Sequence, residues 1–185
     1  MNQIRIIAGK WRGRKISFLD QKGLRPSPDR VRETLFNWLQ FDIVGTHCLD
    51  LFAGSGILAL EACSRGAKQV TCIELNRETA SNIKNNIELL QAEEIFFLQQ
   101  NALEFLQTSN TNNKYDLVFL DPPFKENLLE PSIALLESNS WLAKSALIYL
   151  ESDQPLEDCL LPENWTLVKN KKAGQVYYGL CQRTG

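Results

Sequence analysis

The feature that most restricts this chain is an alternation of short apolar segments with helix-patterned ones between Cys48 and Leu150. Residues 48–52, 70–73, 95–98, 115–120 and 146–150 read as strands, and residues 57–64, 77–90, 102–106 and 132–137 as helices. Within 77–90, Ala80, Ile83, Ile87 and Leu90 recur at core-facing helical spacing. Strands that alternate with helices predict a mostly parallel, doubly wound α/β sheet with helices on both faces. The almost wholly apolar 115–120 agrees, since such a strand is covered on both sides. The tail departs from the alternation. Residues 165–169 and 176–181 flank Lys171-Lys172-Ala173-Gly174 and predict an antiparallel hairpin.

In such sheets ligands bind beyond the carboxyl ends of the strands, at the point where the strand order reverses. That rule selects four places: Asp50-Leu51-Phe52-Ala53-Gly54-Ser55-Gly56, Glu74, Asn101 and Asp121-Pro122-Pro123-Phe124. Gly54 and Gly56 allow a ligand close to the backbone, and the helix that follows offers free N–H groups. The same glycines, with Glu74 20 residues after Gly54, also fit a dinucleotide fingerprint. Asp50 argues against that reading. A carboxylate four residues before the first glycine is awkward beside a pyrophosphate and suits a cationic ligand group, such as the amino group of an amino acid. Glu74 is placed to take both hydroxyls of a ribose, and Asn101 to address an adenine edge, although Asn at a strand end is often only a turn former.

The prolines of Asp121-Pro122-Pro123-Phe124 stiffen the backbone and supply no N–H. The Asp121 carboxylate and the Pro122 carbonyl can accept the two hydrogens of an exocyclic amine while Phe124 stacks on its ring. Such acceptors hold a poorly nucleophilic amine in line with a methyl sulfonium, and the carboxylate stabilises the charge that moves onto nitrogen. The bland alternative is a proline-stiffened loop carrying a core phenylalanine.

The first 32 residues hold nine Lys and Arg against Asp20 and Asp29, an excess of +7, which leaves −9 for the remainder. That asymmetry predicts either a polyanion-binding extension or a solvated hairpin face. Residues 4–18 read as two short strands around a glycine turn. Ser27 is expected to cap a helix that begins with Pro28 and Asp29 and reaches Leu39, with Val31, Leu35, Trp38 and Leu39 near one face. A length of 185 residues suits one domain with a short extension. No apolar run approaches the ~20 residues of a membrane span, and the N-terminus lacks a signal-peptide pattern, so a cytoplasmic protein is expected. The five cysteines are an odd count without a CxxC pair, and the single histidine, His47, has no metal-ligating neighbours in sequence; no metal is expected.

Asp50 to Gly56, Glu74 and Asp121 to Phe124 resemble class I S-adenosylmethionine methyltransferases with a (D/N)PP(F/Y) motif. More narrowly, Arg5-Ile6-Ile7-Ala8-Gly9-Lys10-Trp11-Arg12-Gly13-Arg14-Lys15, the stretch from Leu24 to Leu39 and Lys172-Ala173-Gly174 resemble the bacterial RsmD family of 16S rRNA guanine-N2 methyltransferases. The resemblance runs from about Arg5 to Gln182. It implies a Rossmann-like sheet of seven strands, six parallel and one antiparallel, with S-adenosylmethionine as cofactor. It also implies a basic extension over residues 1–41 ahead of a catalytic domain over 42–185. The cofactor residues would be Asp50, Phe52, Ala53, Gly54, Gly56, Glu74, Leu75, Asn101 and Ala102, and the catalytic ones Asp121, Pro122, Pro123 and Phe124. Lys10, Trp11, Arg12, Arg14, Lys15, Arg30 and Arg32 would meet 16S rRNA within the small subunit or its assembly intermediate. A monomer is expected. Three rivals share parts of the pattern: a DNA adenine-N6 or protein glutamine-N5 methyltransferase, which more typically has Asn where Asp121 stands; a nicotinamide dehydrogenase; and an RNA-binding protein with a vestigial nucleotide fold.

Overall fold

The computed structural model describes residues 2–19, 28–108 and 114–185. Strands β1 (Asn2–Arg5) and β2 (Lys15–Phe18) form an antiparallel hairpin, with Ile4 opposite Ile16. Helix α1 (Asp29–Trp38) follows. Ser27, the expected cap, and most of the polar loop expected before β6 lie outside the described residues.

The body is a seven-stranded sheet of β3 (His47–Asp50), β4 (Gln69–Glu74), β5 (Ile95–Gln99), β6 (Tyr115–Leu120), β7 (Leu142–Ser152), β8 (Trp165–Ala173) and β9 (Val176–Arg183). Its order is β5-β4-β3-β6-β7-β9-β8. Pairings are parallel from β5 to β7, and β9 runs antiparallel to both its neighbours. Helices α2 (Ile57–Ser64), α3 (Arg77–Leu90), α4 (Ala102–Gln107) and α5 (Leu129–Ser138) connect the strands. The period of two along each strand sorts the core. In β6, Leu117 and Phe119 pack with α1, α2 and α3, whereas Val118 and Leu120 pack with α4 and α5. The chain moves from β3 outward to β5 and then returns to β6 on the other side of β3. The order therefore reverses between β3 and β6, and a ligand crevice belongs at the carboxyl ends of those two strands.

The elements differ from the sequence reading mainly at their ends. Helix α5 begins three residues before the expected start at Ser132, because Pro131 sits in its first turn, where the missing N–H has no intrahelical partner to lose. Strand β7 likewise starts four residues early, at Leu142, with a register irregularity opposite β6 between Tyr115 and Leu117.

The N-terminal hairpin shares the core of the sheet. Ile6, Trp11 and Ile16 lie in the same cluster as Leu35, Phe36 and Ala62. Its turn is pinned to the C-terminal end of α2: Lys10 N–H donates to the Ser64 carbonyl (2.8 Å) and Trp11 N–H to Ser64 Oγ (3.0 Å). Gly9 is required there, because it has φ +82° and a Cβ would lie 1.8 Å from the Ser64 carbonyl oxygen. Among the described residues no helix is long and apolar enough to cross a membrane.

Candidate active site

The loop after β3 is shaped by two positive-φ glycines, Gly54 (+52°) and Gly56 (+76°), and Gly56 caps α2. Asp50 ends β3 with only 2% of its surface exposed. Its Oδ2 accepts from Ala59 N–H, the third residue of α2, at 3.2 Å. Burial outweighs that bond and, with the Glu74 charge nearby, pushes the Asp50 carboxyl up to about 7. Across the strand, Glu74 accepts from Gly54 N–H (2.9 Å) and from Asn76 N–H (2.7 Å). Its two carboxylate oxygens therefore brace the glycine loop and the start of α3 together. Burial raises its pKa, and those backbone donors hold it down. Leu75, next in the chain, is 62% exposed, an apolar side chain at the crevice mouth. Phe52 is half-buried, and Ala53 is buried with its N–H bonded to the Ile73 carbonyl (2.9 Å). Asn101 caps α4, its Oδ1 accepting from Leu103 and Glu104 N–H (2.9 and 3.1 Å), while Ala102 is buried. Of the Asn101 amide, the nitrogen is the part that can meet a ligand.

Parallel pairing sets Asp50 opposite Phe119, so the loops after β3 and β6 leave the sheet side by side, one strand spacing of about 4.8 Å apart. Asp121 and Phe124 are half-buried, Pro122 is buried and Pro123 exposed. Phe124 opens a single 3-10 turn, Phe124–Glu126, in which Glu126 N–H bonds to the Pro123 carbonyl (3.0 Å). The turn thus uses the Pro123 carbonyl and not that of Pro122.

Two residues beside this loop went unnoticed in the sequence. Leu120 of β6 pairs with Leu150, so Glu151 of β7 lies level with Asp121. Glu151 is 4% exposed and accepts from Tyr149 Oη at 2.6 Å. Burial, then Glu151 and then Asp121 raise the Tyr149 hydroxyl well above its usual pKa. The available signal was an acidic residue directly after an apolar strand.

A family profile described as "Conserved hypothetical protein 95" matches residues 4–182. The ribosomal RNA small subunit methyltransferase D of Haemophilus influenzae is 50% identical over 97% of this chain and 94% of its own. The Escherichia coli enzyme of the same name is 51% identical over 98% of this chain and 90% of its own. The chain belongs to the RsmD family. The solved yhhF structure of Escherichia coli superposes with a TM-score of 0.89 at 49% identity, covering 99% of each chain. The seven-stranded, class I methyltransferase architecture expected from the sequence is the one this RsmD-family chain adopts.

The structure corrects two of the residues assigned to RNA. Arg32 is fully buried: Nη1 donates to Glu61 Oε1 (3.0 Å) and the Arg5 carbonyl (3.1 Å), and Nη2 to Asp29 Oδ1 (2.5 Å). Trp11 is 9% exposed and packs in the core. Neither can reach a nucleic acid, because docking the N-terminal hairpin on α2 takes both from solvent. Lys10, Arg12, Arg14, Lys15 and Arg30 are exposed. Lys10 is ion-paired with Glu94, just before β5, and Arg14 reaches the Leu89 carbonyl near the end of α3. The hairpin turn therefore sits at the amino edge of the sheet, away from the crevice by the length of α2, roughly 12 Å.

Proposed function

We propose that this RsmD-family chain transfers a methyl group from S-adenosylmethionine to the exocyclic N2 of one guanine in 16S rRNA of the small ribosomal subunit. The observation that carries the reading is the adjacency of Asp121-Pro122-Pro123-Phe124 to the Asp50–Gly56 loop at the reversal of strand order. The names of its relatives, small subunit rRNA methyltransferases, supply the substrate class.

The residues present fit S-adenosylmethionine. A buried carboxylate raised to about 7 gains from a cationic amino group, which suits Asp50 to the methionine end. The Glu74 carboxylate takes the Gly54 and Asn76 N–H groups on its two oxygens and keeps acceptor capacity for ribose hydroxyls. Exposed Leu75 offers an apolar surface to the adenine, with the Asn101 amide nitrogen at the neighbouring strand end. When bound, the cofactor supplies an electrophilic methyl on a sulfonium.

The chain's own residues supply the rest. The Asp121 carboxylate and the Pro122 carbonyl accept the two N2 hydrogens and orient the nitrogen lone pair. Phe124 stacks on the base, a contact worth roughly 1–3 kcal/mol. Positive charge developing on nitrogen is stabilised by Asp121, and removal of one such preorganised group costs on the order of 10²–10³ in rate. A target inside a helix has to be extruded to reach the crevice.

The test is nucleoside mass spectrometry of 16S rRNA from a deletion strain, complemented with wild type or with Asp121→Ala. Loss of N2-methylguanosine, restored only by wild type, is the expected result. An unchanged N2-methylguanosine content with loss of N6-methyladenine from DNA would replace the assignment. Asp121→Ala should lower single-turnover transfer by about 10²–10³ while leaving S-adenosylhomocysteine affinity nearly unchanged.

A further inference from the structure

Besides Lys125 in the Asp121 loop itself, the C-terminal hairpin brings lysines towards the carboxyl rim of the sheet. Register places them without ambiguity. Leu150 pairs with Leu120 and Gly179, Glu151 with Tyr178, and Tyr178 with Lys171. One lateral row at the carboxyl rim thus reads Asp121, Glu151, Tyr178, Lys171, spanning three strand spacings or about 14 Å.

These side chains share a face. Phe119, two residues before Asp121, packs in the same cluster as Tyr149, Tyr178 and Leu180. Lys171 lies opposite Tyr178 and Lys169 opposite Leu180, so both lysines stand on the Asp121 side. Asn170 and Lys172 take the other face, where Asn170 donates to Glu157 (2.5 Å) and Lys172 lies over the Tyr177 ring (4.4 Å). Acidic Glu157 and Asp158 belong to that other side. Lys169 and Lys171 are exposed and, among the described residues, have no ion pair. Lysines on an edge strand also guard against edge-to-edge pairing, which gives this pair an ordinary explanation to be tested.

We infer that Lys169 and Lys171 bind backbone phosphates of the RNA segment flanking the target base, making the C-terminal hairpin a nucleic-acid contact surface of the active rim. The inference rests on the proposed rRNA substrate. Lys171, about 14 Å from Asp121, and Lys169, two residues further from the rim, hold the strand without touching the reacting base, which fits the division between phosphate contacts that position and base contacts that specify.

The experiment is filter binding of the full-length protein to a 16S rRNA transcript across a salt series. It compares Lys169→Ala/Lys171→Ala with Arg12→Ala/Arg14→Ala, which removes the same charge from the amino edge. The hairpin variant should bind roughly 10–30-fold more weakly at 0.1 M salt, with the slope of log K against log salt shallower by about 1.5. The amino-edge variant should change by less than about threefold, and Lys169→Arg/Lys171→Arg should retain binding. S-adenosylhomocysteine calorimetry on each variant confirms an intact crevice. Wild-type affinity and slope in the hairpin variant, or equal losses in the two double variants, would overturn the inference, and self-association of the hairpin variant with RNA binding intact would assign the lysines to edge protection. Failure of the wild-type protein to bind the transcript would instead remove the rRNA reading on which the inference stands.

Discussion

Helix α2 has a buried carboxylate on each side, and the protein completes only one of them. Glu61, within the helix, is fully buried and accepts from Ile7 N–H (2.5 Å), Arg32 Nη1 (3.0 Å) and Arg65 Nε (3.2 Å). Asp50, beneath the start of the helix, is equally withdrawn from water, and among the described residues its donor is the Ala59 N–H alone. Glu61 meets a guanidinium brought by α1 and so fastens α1 and the segment Arg5–Ile7 to α2. Asp50 meets a backbone dipole, and its carboxyl rises to about 7. A buried charge satisfied from within is structure; one satisfied only in part is where a ligand's charge gains most.

The largest test of that contrast removes the internal cation. Arg32→Ala leaves Glu61 buried without its main partner and should lower unfolding free energy by roughly 3–5 kcal/mol in denaturant titration. A loss below 1 kcal/mol would mean that Glu61 does not depend on Arg32.

Asp50→Asn should act in the opposite direction. Asn keeps an acceptor for Ala59 N–H and cannot ionise. In wild type the carboxyl ionises near 3.8 when unfolded and near 7 when folded, so the unfolded state releases its proton first. Stability from this group is full below 3.8, falls as pH rises to about 7, and is flat above; the total is on the order of 4 kcal/mol. The Asn variant should therefore be more stable than wild type at pH 8, with the gap closing towards pH 4. Its S-adenosylhomocysteine affinity should fall. Wild-type affinity should rise with pH through about 7, with proton release detectable by calorimetry in buffers of different ionisation enthalpy. An Asp50→Asn variant that is no more stable at pH 8 removes the contrast.

Glu74→Ala should weaken cofactor binding by about 1.5–3 kcal/mol, since a charge-assisted contact is lost and Gly54 N–H loses its acceptor. Calorimetry with S-adenosylhomocysteine measures it. The smallest effect is expected at Arg65, which is partly exposed, pairs with Glu61 and lies 4.7 Å from the Phe36 ring centroid. Arg65→Ala should cost about 1 kcal/mol of stability, well below Arg32→Ala. Equal losses at the two arginines would show that burial does not separate them.

The strands and helices of the body were legible because their signals are local. The short apolar runs of β3 to β6, the 77–90 helix and the glycine loop depend on neighbours a few residues apart, and they stand within one or two residues of where the sequence put them. The Asp121-Pro122-Pro123-Phe124 loop was equally readable as a place, since strand-helix alternation fixes which ends of the strands face a ligand. What the sequence could not rank was its own basic residues. Arg12, Arg32 and Lys171 look alike as charges, yet one is exposed at the amino edge, one is sealed against Glu61 and one stands in the row of Glu151 at the carboxyl rim of the sheet. Glu151 gained its place beside Asp121 only when β7 paired with β6. A local pattern determines how a segment folds; whether a charge meets water, another charge or a substrate is decided by partners far along the chain, as with Arg32 and Glu61, 29 residues apart, because burial and its electrostatic cost exist only once those segments pack.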